Sequence, residues 1–242
     1  MSNKIHAVIP ARGGSKGVLR KNIKNLSGHP LIAYSIIACQ LSKNIDRVIV
    51  STDDKEIANI ALEYGAEVPF LRPAELASDT ATDTDVVGHY FNEIGGSAVA
   101  YIRPTTPLRD PEKLSEYIET YYKEQQHTAT GVRSMHEIPE SPYKMFKIGK
   151  TGMCEGFFES YKGNKDYTNL PRQMLPVAYQ PNGYIDIIKK DTIIKDSAFG
   201  DIILPIVTDF VLEVDTQDQF DMLQYRLSID SHILLEELNS QS

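Results

Sequence analysis

Tryptophan is missing from the 242 residues, cysteine occurs only twice, and basic residues are outnumbered by acidic ones, 25 against 33. No apolar run approaches the ~20 residues of a membrane-spanning helix, and the opening MSNKIHAVIPARGG has too short an apolar stretch for a secretory signal. No membrane partner is expected, and a cytoplasmic location is. Cys39 and Cys154 lie far apart, with Cys39 inside an apolar helical run, so core packing is expected ahead of a bridge or a metal site. The formal charge of −8 argues against a general nucleic-acid or anionic-membrane surface, although a local basic cluster can still hold a small polyanion. The six histidines show neither metal-ligand spacing nor a Ser-His-Asp order. Repeats, low-complexity tracts and linkers are also lacking, so residues 1–242 are read as one domain, long enough to bury its core without staples.

What the chain does have is a basic, glycine-rich stretch from His6 to Asn22, in which an apolar strand runs into Gly13, Gly14 and Gly17 interleaved with Arg12, Lys16, Arg20 and Lys21. Glycine lets backbone N–H groups approach an anion closely, and Arg and Lys supply phosphate contacts, so a polyphosphate suits this composition. The order of residues fits neither a P-loop nor the GxGxxG dinucleotide fingerprint. A solvated strand-to-helix turn is the plain alternative.

Periodicity predicts strands at Ile5–Pro10, 46–52, 67–71 and 98–102, alternating with helices from Leu31, over 55–64 closed by Gly65, over 84–94 and over 111–124. This alternation predicts a mainly parallel α/β sheet with helices on both faces. The rhythm changes after Thr128. Strand character returns at 128–134, 184–188, 201–207 and 210–214, a helix is expected over 217–229, and the polar, aromatic span 136–180 reads as an excursion with two short strands around Gly149 and Gly152. Such an excursion buries little alone, so it should pack on the main body or on a second subunit.

Ligands of open α/β sheets sit at the carboxyl ends of the strands, where Arg12 to Lys21, Ser51 to Asp54, Arg72, Arg103 to Arg109, and Glu213 with Asp215 should converge. Glu213 and Asp215 are two residues apart on a predicted strand, hence on one face, and suit a hard cation such as Mg²⁺. Spacing alone serves equally well for Asp215 as the cap of the following helix. The two prolines of Arg103–Arg109 predict a rigid polar wall; a stiff helix entry is the alternative.

The motifs IPARGGSKGVLRKN (9–22), VIVSTDD (48–54), RPAELASDTATD (72–83), RPTTPLRD (103–110) and LEVDTQDQFD (212–221) together resemble the acylneuraminate cytidylyltransferase family, the CMP-sialic acid synthetases. The resemblance runs in the family's order from Ile9 to about Phe220. It implies a Rossmann-like nucleotidyltransferase fold, usually a homodimer, that transfers CMP from CTP to the anomeric hydroxyl of an acidic nine-carbon (nonulosonic) sugar with Mg²⁺ as cofactor. By the same resemblance Ala11, Arg12, Gly13, Ser15, Lys16 and Lys21 match the triphosphate loop, Asn22 and Arg72 the nucleoside end, and Thr80 and Thr82 the same pocket. Arg12, Lys21 and Asp215 match the reacting centre, and Glu213 with Asp215 the metal pair. Arg103 and Thr105, with Arg172, Gln180, Asn182 and Gly183 from LPRQMLPVAYQPNGYIDI (170–187), fall on the sugar side, and the excursion around Tyr143 to Phe158 on the dimer contact.

Two positions depart from the family's pattern. Arg103 stands where Gln is frequent, and Glu213 replaces the first Asp of the metal pair; the first leaves neuraminic, legionaminic and pseudaminic acids open as acceptors. A Kdo cytidylyltransferase and a catalytically silent nucleotide-binding subunit are the alternatives.

Overall fold

In a computed structural model, residues 4–124, 129–193 and 197–241 are described. The chain alternates strand and helix through its first half: β1 (Ile5–Pro10), a two-residue hairpin of β2 (Asn25–Leu26) and β3 (His29–Pro30), α1 (Leu31–Leu41), β4 (Ile45–Ser51), α2 (Lys55–Glu63), α3 (Asp83–Glu93), β5 (Ala98–Tyr101) and α4 (Pro111–Glu124). β6 (Gly131–Ile138) leads into the excursion, which holds β7 (Phe146–Ile148) and β8 (Cys154–Gly156). The chain returns as β9 (Ala178–Lys189), α5 (Lys190–Ile193), β10 (Ile203–Thr208), α6 (Gln217–Ile229) and α7 (Ile233–Ser240). Among the described residues no helix is long and apolar enough to cross a membrane.

The six-stranded sheet has the order β10-β6-β9-β5-β1-β4 and is parallel except for β9, which runs antiparallel to both neighbours. Side chains alternate across it with the period of two that a pleated strand imposes. Ile5, Ala7 and Ile9 of β1 join the larger core with α1, α2, α4, α6 and α7, whereas Val8 joins Val87, Phe91 and Val99 under α3. Helix α1 is buried from Leu31 to Cys39, so it shows no polar face. Each fully buried Leu or Ile there is worth about 1.5–3 kcal/mol relative to exposure.

Three strand expectations are corrected. The run 67–71 makes only a bridge from Glu67 to Ile49, because Pro69 has no N–H with which to continue the ladder. The run 210–214 leaves the sheet altogether: β9 already occupies the place between β5 and β6, and the segment is tied instead by Val214 N–H donating to the Thr105 carbonyl at 2.7 Å. The strand predicted over 184–188 begins six residues earlier, at Ala178, and passes through Pro181 and Gly183, where β6 shifts register. Of the strand expected over 128–134, Thr128 lies outside the described residues and the observed strand extends to Ile138.

Helix α2 shows how a polar side chain fixes a helix start beside the glycine-rich loop. Asp54 Oδ1 accepts from the N–H groups of Glu56 and Ile57 at 2.9 and 3.1 Å, while its carboxylate also pairs with Arg20. Arg20, opposed by burial and helped by those N–H groups, holds the Asp54 carboxyl below the usual carboxylate range. Asp54→Ala is therefore expected to cost about 1–2 kcal/mol in denaturant melts. A depressed native pKa stabilises fully above the unfolded value of about 4 and loses that contribution as pH falls through the native value, so the gap between the two proteins should close in acid.

Candidate active site

At the carboxyl ends of β1 and β5 lies a cleft of about 450 Å³ that gathers the loop after β1, Arg72, the turn before α3, Arg103 to Thr105, and Glu213 with Asp215, while the Ser51 to Asp54 segment expected there stands outside its lining. The loop is built by short-range chemistry. Ala11 is buried, and its N–H donates to the Ser51 carbonyl at 2.9 Å, which carries the β1–β4 pairing to the loop's edge. Gly13 N–H donates to Asp53 Oδ1 at 3.0 Å. The buried Asn22 closes the turn by donating Nδ2–H to the Arg12 carbonyl at 3.0 Å.

Gly17 is required by a close approach, because a Cβ there would fall on the Asp215 carbonyl. This glycine therefore serves protein packing: it brings the basic loop against the acidic segment. Lys21 crosses the same gap, with Nζ donating to the Val214 carbonyl at 2.7 Å and to Asp215 Oδ1 at 3.0 Å.

Asp215 does not cap α6. Thr216 does, its hydroxyl accepting from Gln219 N–H while the Gln219 side chain accepts from the N–H groups of Asp215 and Thr216, leaving the Asp215 carboxylate facing Lys21. Glu213 is half-buried and accepts from the Thr105 hydroxyl at 3.1 Å. Burial, and then the charge of Asp215, push its carboxyl above the ordinary range. Two carboxylates that repel each other at the edge of a basic loop fit a hard cation, and Mg²⁺ commonly takes its remaining ligands from phosphate and water. Among the described residues no third acidic or histidine side chain completes a protein-only metal cluster.

The Arg103–Arg109 loop is rigid for a reason beyond its prolines. Arg109 is fully buried, and its five N–H groups reach the carbonyls of Arg103, Thr106, Gly183 and Tyr184 and the Ser35 hydroxyl. Burial pushes its pKa down to about 10. Arg109 is thus the loop's internal brace and does not line the cleft.

Arg103 does line the cleft, but its charge is already matched. It donates to Asp83 at 2.5 and 3.2 Å, approaches Asp186 at 3.4 Å and lies 5.0 Å over the Tyr101 ring, while the Tyr101 hydroxyl donates to Asp83 at 3.0 Å. Burial works against the guanidinium, yet the bonds and charge of Asp83 outweigh it and hold its pKa above the ordinary value. Asp186 is buried, and that burial pushes it up to about 6, with Arg103 pulling the other way.

Of the sugar-side candidates, Arg103 and Thr105 reach the cleft; Arg172, Gln180, Asn182 and Gly183 do not. Asn182 is buried and spends its side chain on Thr208, His136 and Tyr184 N–H, while Gly183, at φ 62°, leaves room for the stem of Arg103. Gln180 is exposed on β9, and Arg172 lines a separate cleft with Glu137 and Ser141. At the nucleoside end Arg72 is buried with its Nη2 donating to the Ser51 carbonyl at 3.3 Å. Thr82 lines the cleft as the cap of α3, and Thr80 stands just outside it, sharing a hydrogen bond with Ser78.

Sequence reasoning missed Asp79, Asp83 and Tyr101. The first two stand inside the quoted motif 72–83, but nothing in their spacing reveals that they face Arg12, Lys16 and Arg103 across the cleft.

A β1 loop of this kind at the carboxyl edge of a largely parallel sheet, facing a carboxylate pair, defines a Rossmann-like nucleotidyltransferase fold. The same fold is seen in a CMP:2-keto-3-deoxy-manno-octonic acid synthetase complexed with CTP, at a TM-score of 0.70 and 14% identity over 93% of this chain and 99% of that one. A cytidylyltransferase from Leptospira borgpetersenii matches at a TM-score of 0.60 and 13% identity over 98% of this chain and 94% of that one. The chain belongs to the cytidylyltransferase family, whose model matches residues 6–162.

Among curated relatives, a CMP-N,N'-diacetyllegionaminic acid synthase of Legionella pneumophila is 41% identical over 49% of this chain and 53% of its own length. An N-acylneuraminate cytidylyltransferase of Escherichia coli is 32% identical over 91% of this chain and 51% of its own length. The post-translational flagellin modification protein B of Campylobacter coli is 32% identical over 99% of this chain and 98% of its own length. The matches thus span about half the length of the first two relatives and nearly all of the third.

Proposed function

We propose that the protein transfers CMP from CTP to the anomeric hydroxyl of a nonulosonic acid of the legionaminic, pseudaminic or sialic type and releases pyrophosphate. The observation that carries this reading is the cleft itself, in which Arg12, Ser15, Lys16 and Lys21 face Glu213 and Asp215, in a family whose curated members are named for these acids. The sugar's anomeric hydroxyl attacks the α-phosphorus in line and loses its proton to solvent water, the bond from that phosphorus to the bridging oxygen breaks, and the β- and γ-phosphates leave together as pyrophosphate. Arg12 and Lys21 offset charge on the phosphoryl oxygens, and positioning by a fixed loop does most of the work. Glu213 and Asp215 would hold Mg²⁺, which when bound neutralises phosphate charge and acidifies the attacking hydroxyl. Arg103, already paired with Asp83, acts as a fixed hydrogen-bonding wall for the acceptor more than as a receptor for its carboxylate.

The excursion leaves Phe146, Ile148, Met153 and Phe157 exposed. That apolar surface supports a homodimer through this region, and the need for CTP, with two unpaired cysteines, supports a cytoplasmic location. An assay with CTP and Mg²⁺ across neuraminic, legionaminic, pseudaminic and Kdo acids, with products weighed by mass spectrometry, should give a CMP-sugar with one of the first three. A product with Kdo alone, or CTP binding with no pyrophosphate from any acid, would overturn the reading.

A further inference from the structure

The cations of the β1 loop are each matched by a carboxylate, but the matches are of two kinds. Arg20 pairs with Asp54 and Glu56, and Asp54 is already committed to capping α2, so that pair belongs to the scaffold. Arg12 and Lys16 instead converge on one side chain, Asp79: Arg12 Nη1 stands 3.1 Å from Oδ1, and the Lys16 ammonium pairs with Oδ2. Arg12 Nη1 also donates to the neighbouring Ser78 carbonyl at 2.9 Å. Asp79 caps no helix, its carboxylate engages only these two cations among the described residues, and its side chain is 48% exposed on the wall of the cleft. It is a removable anion placed between two phosphate-type donors.

We propose that Asp79 is a built-in competitor of the triphosphate: it takes the place of a phosphate group between Arg12 and Lys16 and gives way when nucleotide enters. The inference rests on reading the cleft as the CTP site. Two consequences follow from the geometry. An incoming ligand must place a phosphate group between both cations, which favours a nucleotide with phosphates beyond the first over a nucleoside monophosphate. On the way out, the return of Asp79 to the same two cations helps pyrophosphate leave, so the residue would tune affinity and product release without touching the reacting phosphorus.

Asp79→Asn keeps the shape and removes the charge at an exposed position, so it should melt at the wild-type temperature, which a thermal melt checks. Calorimetric titration with CTP and with pyrophosphate, in EDTA and again with Mg²⁺, should show binding about three- to thirtyfold tighter for Asp79→Asn than for the wild type, the range expected from releasing two exposed ion pairs. The gain should shrink at high ionic strength, since exposed pairs are screened. CMP should bind both proteins alike, and Asp79→Glu should behave as the wild type. Equal or weaker binding of both polyphosphates by Asp79→Asn overturns the proposal. Weaker binding confined to Mg²⁺ also overturns it, because it makes Asp79 a metal contact. If the wild type binds CTP and the variant does not differ, only the role of Asp79 falls; if neither binds CTP, the reading of the cleft falls with it.

Discussion

Asp215→Asn is expected to lower CTP-dependent pyrophosphate release by about a thousandfold at saturating sugar acid, the scale seen when a charge-stabilising group is taken from a reacting centre. The substitution is a clean one. Asn keeps the size of the side chain and an oxygen for Lys21, while Thr216, which caps α6, is untouched, so the fold should melt as before. Only the negative charge beside Glu213 is lost. Glu213→Gln should cost less if one carboxylate with phosphate oxygens can still hold the cation. Both losses should be eased in part by excess Mg²⁺ if they reflect weakened metal binding. Full pyrophosphate release by Asp215→Asn would sink the metal assignment outright.

Lys21→Met should reduce turnover by about a hundred- to a thousandfold, again the range for a preorganised donor aimed at developing charge. Lys21 differs from the other cations of the loop. Its side chain is the most buried of the four, and it holds the Val214 carbonyl as well as the Asp215 carboxylate, so it joins the basic loop to the acidic segment. Met preserves the stem and its packing, which separates loss of charge from loss of structure. Lys21→Arg should restore structure but only part of the rate, because a planar fork cannot sit where a single ammonium bridges a carbonyl and a carboxylate. Turnover of Lys21→Met within a factor of a few of the wild type, measured by single-turnover CMP transfer, would remove Lys21 from the reacting centre.

Much of the first half of the fold was legible because its signals are local. The nearly continuous apolar run in Ile5–Pro10, the cap at Asp54, Gly65 at φ 79° after α2 and Pro111 opening α4 each act within a few residues. The antiparallel insertion of β9 was not legible, because Pro181 and Gly183 interrupt its apolar pattern and only pairing with β6 restores the strand. The basic loop, Arg72 and the Glu213/Asp215 pair could be gathered from the rule that ligand residues follow strands. Arg109 and Asn182 could not be sorted from ligand-facing residues in that way: whether a polar side chain braces a loop or faces a cleft is decided by burial and by partners distant in the chain, Tyr184 for Arg109 and His136 and Thr208 for Asn182. Asp79 was hidden for the same reason.

The ends of the excursion stand opposite each other, Ile138 of β6 paired with Ala178 of β9. Such a segment departs and returns at one point of the sheet, so its length and sequence can drift, be grafted or be exchanged with little strain on the strands that carry the cleft. The acidic segment is the reverse case. Gly17 pressed on the Asp215 carbonyl and Val214 tied to Thr105 leave no slack for an inserted or deleted residue. Divergence among relatives should therefore collect in the excursion as changes of length, and reach the carboxylate pair only as changes of side chain.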